Sequence, residues 1–171
     1  MTTIKVHGSF FSTATLRVLA SLNEKSLDYE FVPVDMRSGE HKKDPFLSLN
    51  YPRIQRRRRW RTFEAQRYEP PAAKLTWELG IKPVLGMATD DDVVKAQVAE
   101  LAKVIDVYEP RLAHSKYLGG DAFSLADLHH LPTLKYLMAS PVKAVFEARP
   151  HVAAWVADIM ARPSWQKVLA C

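Results

Sequence analysis

Few side chains in this 171-residue chain are of a type and spacing to do chemistry, and a serine leads them. Ser12 sits between a β-branched run (residues 3–8, TIKVHG) and a stretch with Leu16, Leu19, Ala20 and Leu22 at helical spacing. A hydroxyl at such a strand-to-helix junction meets the free amides and partial positive charge of a helix start. It could donate to a bound thiolate and lower a thiol pKa whose free value is about 8.5. It could equally act as a helix N-cap, the commoner role of serine there. His41-Lys42-Lys43 offers donors suited to the carboxylates of a small acidic peptide, or forms a solvated loop. His129-His130 raises the question of a metal. Adjacent helical residues point in different directions and no cysteine or acidic ligand recurs at metal-site spacing, so no metal is expected. Arg56 to Arg59 with Trp60 could neutralise phosphates and stack on bases. No recognition module accompanies them, which argues against a nucleic-acid partner. The single cysteine, Cys171, reads as an exposed C-terminal residue, and one cysteine allows no internal disulfide, in keeping with a reducing compartment.

The elements that must position these residues follow from periodicity. Residues 3–8 read as a strand ended by Gly8, 13–25 as a helix and 28–34 as a second strand. Strand, helix and strand in so short a span make a βαβ unit with a parallel pair and a right-handed crossover. Pro33 assigns the second strand to a sheet edge. From 51 to 83 no strand alternation holds, arginines cluster and Pro70-Pro71 interrupts. After Pro83 the chain becomes helical. Thr89 with Asp90, Asp91 and Asp92 is an acid-rich helix start, continued by an apolar stripe at Val94, Val98, Leu101, Ile105, Tyr108 and Leu112. Pro110 is expected to kink or end that helix. Ser124 with Asp127 forms an acidic capping box, and two proline-opened helices cover about 150–161 and 163–169.

Composition sets the class. Apolar residues make up 47% of the chain and charged residues 25%, as in soluble globular proteins. No apolar run reaches the roughly 18–20 residues that span a bilayer, and the N-terminus lacks a signal-peptide pattern. A cytoplasmic protein with no membrane contact is expected. The net charge of +5 is local: seven arginines against Glu64 alone give residues 53–67 a charge of +6, leaving −1 for the rest.

Taken together, IKVHGS, STATLRVLASLNEKSLDYEFVPVDMRSGEHKKDPFLSLN, DDDVVKAQVAELAKVIDVYEPRL, KYLGGDAFSLADLHHLPTLKYL and ARPHVAAWVADIMARPSWQKV resemble the phi-class glutathione transferases of plants. The resemblance implies an α/β plus all-α fold: an incomplete thioredoxin-like N-terminal domain over 1–73, then an all-helical C-terminal domain over 74–171. It implies conjugation of glutathione, as co-substrate and without a further cofactor, to small hydrophobic electrophiles. Ser12 would hydrogen-bond the glutathione sulfur, Thr13 would follow it in the binding loop, and His41 and Lys42 would contact the glycine end. Hydrophobic acceptors would lie near Phe11 and the first long C-terminal helix, and His129 and His130 would be packing residues. A homodimer is the family pattern.

The departures are as plain. The family's Gln-Val/Ile-Pro segment, with a cis proline, is represented by Gln55, which is followed by Arg56. Its Glu-Ser-Arg motif, which opens a helix and grips the γ-glutamyl group, leaves Glu64 as a remnant, followed by Ala65; the resemblance still implies Gln55 and Glu64 as glutathione contacts. Several dozen residues are missing between Tyr68 and Lys74, and the onset of arginines at Tyr51 reads as altered splicing or a frame disturbance. The alternative reading is therefore a catalytically impaired binding protein, or a splice or truncation product, with weakened glutathione binding.

Overall fold

The computed structural model describes residues 4–36, 38–40, 43 and 64–170. The chain divides into two compact units, Met1–Arg57 with Pro163–Cys171, and Arg58–Arg162. The division falls before the 73/74 boundary expected from the sequence, and the last helix joins the first unit.

In the first unit β1 (Ile4–Gly8) and β2 (Tyr29–Pro33) pair in parallel, with Ile4 opposite Tyr29 and Gly8 opposite Pro33. The amide of Val34 adds a bond to the Gly8 carbonyl at 2.8 Å. Between the strands runs α1 (Thr13–Glu24), which buries Thr15, Leu16, Leu19 and Ala20 on one face. That is the spacing a helix needs to lay one stripe on a sheet. The strand–helix–strand expectation thus holds, with bounds shifted by a residue. The helix Pro163–Leu169 packs on α1 within this unit: Asn23 Nδ2 donates to the Ser164 carbonyl at 3.2 Å and the Ser164 hydroxyl donates to Glu24.

The second unit is helical from its first described residue. The expectation that helix begins only after Pro83 is corrected by a helical run over 64–81. Its middle, α2 (Glu69–Leu75), is an ordinary α-helix, and its flanks, Glu64–Tyr68 and Thr76–Ile81, are wider π-type turns. Pro70 and Pro71 lack amide donors and crowd the preceding turn, which favours widening just ahead of them. The run persists because Tyr68, Ala72 and Leu75, at spacings of four and three, are fully buried. The apolar surface they remove from water outweighs the lost hydrogen bonds.

A left-handed Gly86 (φ 72°) then turns the chain into α3 (Asp91–His114), whose N-cap Asp90 accepts the Val93 amide at 3.1 Å. Glu78, buried at the end of the preceding run, clamps this turn: its carboxylate accepts Lys82 Nζ at 2.7 Å and the Asp90 amide at 2.9 Å. α3 passes through Pro110 to His114. Tyr108 and Leu112, on either side of the proline, are both buried, so packing holds the final turn.

Short helices α4 (Leu125–Leu128), α5 (Leu131–Leu137) and α6 (Lys143–Glu147) follow, then α7 (Pro150–Met160). The start of α7 is capped from α3: Glu109 accepts the amides of His151 at 3.2 Å and Val152 at 3.0 Å. The capping box expected at Ser124 is present, and it is larger than the motif alone. Asp127 is fully buried, accepts the Ser124 amide and hydroxyl on one oxygen (both 3.0 Å), and accepts the Leu118 amide (2.9 Å) and Trp155 Nε1 (3.0 Å) on the other. Among the described residues, no helix is long and apolar enough to cross a membrane.

Replacing Asp127 with asparagine sets an NH2 group against donors and strands at least one of them in the interior. The expected loss is about 3 kcal/mol of stability or more, read by urea denaturation. Lys103→Ala, which removes only the exposed Lys103–Glu100 pair, is expected to cost less than about 1 kcal/mol. Equal losses in the two variants would refute the role given to Asp127.

Candidate functional site

The turn from β1 into α1 is built by four hydrogen bonds. Ser12 N–H donates to the Ser9 carbonyl at 2.9 Å, and Phe11 N–H to Ser9 Oγ at 3.3 Å. Ser9 N–H donates to Thr15 Oγ1 at 3.3 Å, and Thr15 N–H to Ser12 Oγ at 3.4 Å. Phe10 anchors the turn to β2, its ring centroid 4.3 Å from that of Phe31. Ser12 itself is extended (φ −86°, ψ 118°) and is the N-cap of α1. The helix-cap role that the sequence left open is therefore realised.

Capping does not exhaust the hydroxyl. It has two lone pairs and one proton, and the bond from Thr15 occupies one lone pair. That bond does not use the proton. α1 carries no acidic residue in its first turn, so no side-chain carboxylate of its own offsets the positive end of the dipole. Thr13, the first helical residue, is half-buried beside Ser12, and Phe11 is 60% exposed one residue before it. The arrangement suits a thiolate with an apolar group near it. His41, Lys42 and Gln55 lie outside the described residues, as do Arg56 to Arg59 and Cys171.

Glu64 is expected, with Ser12, among the glutathione contacts. It belongs to the second unit, is buried at 7% exposure, and sets Oε2 3.5 Å from His129 Nδ1. Its helical, buried setting makes it part of that unit's packing, and the structure does not bring it together with Ser12 in one unit. His129 and His130 do serve as packing residues. His130 is fully buried among the rings of Tyr68, Tyr108 and Trp155, with centroids 4.2, 5.6 and 5.2 Å away. Its Nε2 lies 3.0 Å from the Tyr108 hydroxyl. A cavity of about 190 Å³ adjoins it, lined also by Glu64, Tyr108, Arg111 and Leu118. Among the described residues, no group of three or more His, Cys, Asp or Glu side chains is arranged to hold a metal ion.

Two residues that shape the Ser12 turn gave no signal by type. Gly8 was legible only as a strand end, and Thr15 only as one more polar residue after Ser12. Their contact exists in space: a Cβ at Gly8 would stand 2.3 Å from Thr15 Oγ1 and 2.7 Å from its Cγ2.

Comparison with known proteins matches both parts of the chain. Residues 2–56 fit the family model for the glutathione S-transferase N-terminal domain, and residues 68–163 that for the C-terminal domain. The chain is 52% identical to glutathione S-transferase PARB of Nicotiana tabacum, with 97% of each covered. It is 42% identical to glutathione S-transferase F7 of Arabidopsis thaliana, covering 99% of this chain and 100% of the relative. The crystal structure of glutathione transferase F7 from Populus trichocarpa superposes with a TM-score of 0.88 at 36% identity, covering 97% of each chain. The tobacco alignment runs over 206 positions against a chain of 171 residues. At least 35 aligned positions of that relative therefore face no residue here.

Burial drives the His130 imidazole down to about 4, against the opposing pull of the Glu64 and Asp127 carboxylates and the Ala126 carbonyl. The unfolded chain, with histidine near 6.5, binds the proton more readily. Stability from this residue is thus complete above pH 6.5 and is lost as pH falls towards 4, by about 3 kcal/mol in all. His130→Asn is expected to flatten the fall in urea midpoint between pH 6.5 and 4.5. An unchanged slope would remove His130 as its source.

Proposed function

The chain belongs to the glutathione S-transferase family, in the phi class of plants, and from that premise we propose that it joins glutathione to small hydrophobic electrophiles, with Ser12 holding the sulfur. One observation supports the reading: the Ser12 hydroxyl caps α1 by accepting the Thr15 amide, a bond that does not use its proton, at a helix start with no acidic residue. A hydrogen bond given to the thiolate favours the charged form and lowers the thiol pKa. The thiolate is the nucleophile. Its sulfur forms the bond to the electrophilic carbon, and the leaving group departs with the bonding electrons. Beyond glutathione as co-substrate, the reaction asks for no cofactor.

In this reading Thr13 lines the sulfur end of the site and His41 and Lys42 take the glycine carboxylate. Gln55 and Glu64 belong to the glutathione contacts, and exposed Phe11 offers the acceptor an apolar contact. A cytoplasmic homodimer completes it, on the family's pattern.

A second reading, an impaired relative that binds rather than conjugates, has its own support. At least 35 positions of the tobacco relative have no counterpart here, and residues 57–67 fall outside both family models. Recognition of glutathione is spread over many side chains and thiol activation over few, so affinity is expected to suffer most. Conjugation of 1-chloro-2,4-dinitrobenzene by wild type and Ser12→Ala separates the cases. The enzyme reading expects a measurable wild-type rate and a fall of about 10²-fold in the variant. Equal rates would end Ser12's part in it. Failure of the wild type both to conjugate and to be retained on immobilised glutathione would favour the second reading.

A further inference from the structure

Thr15 touches the Ser12 turn at both ends. Its side chain, only 8% exposed, accepts the Ser9 amide at the start of the turn, and its own amide donates to Ser12 Oγ at the finish. The Ser12 amide closes the loop on the Ser9 carbonyl. Behind Thr15 there is no slack. Both Cγ2 and Oγ1 press on Gly8, where even a methyl group would come within 2.7 Å of either atom. Gly8 is fixed in turn by pairing opposite Pro33 and by accepting the Val34 amide. The path of the backbone from sheet to helix is therefore set by one side chain that fits a glycine-sized gap and satisfies one inward amide.

We propose that Thr15 is the positioning residue for Ser12: by accepting the Ser9 amide and filling the gap at Gly8, it fixes the turn that aims the Ser12 hydroxyl proton at the bound thiol. This rests on Ser12 being the thiol-activating residue. The physical demand is tight. A hydrogen bond weakens steeply once its angle falls towards 120°, and small misplacements of a catalytic group have large kinetic effects. Without the Thr15 acceptor, the Ser9 amide has to find another partner. It does so by letting the turn move, and Ser12 moves with it. Because Thr15 never meets substrate, its loss should act through the protonation of the thiol and spare the affinity for glutathione.

The test is the pH dependence of kcat for 1-chloro-2,4-dinitrobenzene conjugation, with KM for glutathione measured alongside. Thr15→Val keeps the branched shape and removes the acceptor; Thr15→Ser keeps the acceptor and removes the methyl. Thr15→Val is expected to shift the rising limb of the profile to higher pH by about one unit, so that kcat at pH 6.5 falls about tenfold. KM is expected to stay within about twofold, because substrate binding is not touched. Thr15→Ser should restore the wild-type profile. If Thr15→Val proves unstable, Thr15→Ala, which also lacks the acceptor and cannot crowd Gly8, must show the same shift. A wild-type profile in a folded variant lacking the acceptor overturns the proposal, as does a shift of equal size in Thr15→Ser. Ser12→Ala is the control that keeps the two ideas apart. If it loses activity while the Thr15 variants keep the wild-type profile, only the positioning role fails. If it matches wild type, or if wild type itself is inactive, the reading of Ser12 fails and the positioning role falls with it.

Discussion

A carboxylate taken out of water is costly unless its lone pairs are met, and meeting those of Asp127 organises the helical unit. The four donors come from separate places: the loop after α3 (Leu118), the start of α4 (Ser124, through both amide and hydroxyl) and the middle of α7 (Trp155). One side chain thereby fixes a loop, a helix start and the rotation of a distant helix. The consequences spread through contact. The ring of Trp155, held by Asp127, stands nearly perpendicular to those of both His130 and Tyr108. His130 and Tyr108 meet in a hydrogen bond, and Tyr68 joins through the Thr133 hydroxyl at 3.0 Å. An aromatic cluster with polar edges has few alternative packings, because the Tyr68 and Tyr108 hydroxyls and His130 Nε2 must keep their partners.

The same problem, a helix start with unmet amides, recurs through the chain with different solutions. α3 uses Asp90, α4 uses Ser124 and Asp127, and α7 borrows Glu109 from α3. α1 uses Ser12, a neutral cap whose hydroxyl retains a proton. A carboxylate cap at that position would meet the amides as well, and it would repel a thiolate. Serine satisfies the backbone and leaves the helix's positive end unneutralised.

Much of this was readable from residue order, because helix starts and strand ends depend on local chemistry. Gly8, Ser12, Asp90 to Asp92 and the Ser124–Asp127 pair marked their elements through turn and capping preferences alone. The helical run over 64–81 was hidden for an equally local reason. Pro70-Pro71 and the arginines before it read as interruption, while the Tyr68, Ala72 and Leu75 stripe that outweighs them takes its strength from tertiary burial. Pro110 misled in the same direction, since helix propensity yields to packing on the buried face of α3. Glu64 was a harder case. A glutamate beside a broken motif resembles a remnant, and only its burial beside His129 shows that it packs a helical unit. The contact between Thr15 and Gly8 carried no signal, because a close fit between two small residues is a fact of geometry and not of type.

Activation and recognition make different demands on a chain of this family. Activation asks for one donor and an unneutralised helix start, and the proposed donor, Ser12, lies in a turn whose hydrogen bonds among Ser9, Phe11, Ser12 and Thr15 join near neighbours in sequence. Recognition of a charged tripeptide needs groups gathered from distant parts of the sequence, each contributing a fraction of the affinity. A loss of positions outside that turn would leave the first requirement untouched and fall on the second. Ser12 as a helix cap and Ser12 as a thiol donor are therefore not rival readings, since one uses a lone pair and the other the proton. The turn that holds this hydroxyl is built from neighbours in sequence, and so it does not depend on the positions that the tobacco relative has and this chain lacks.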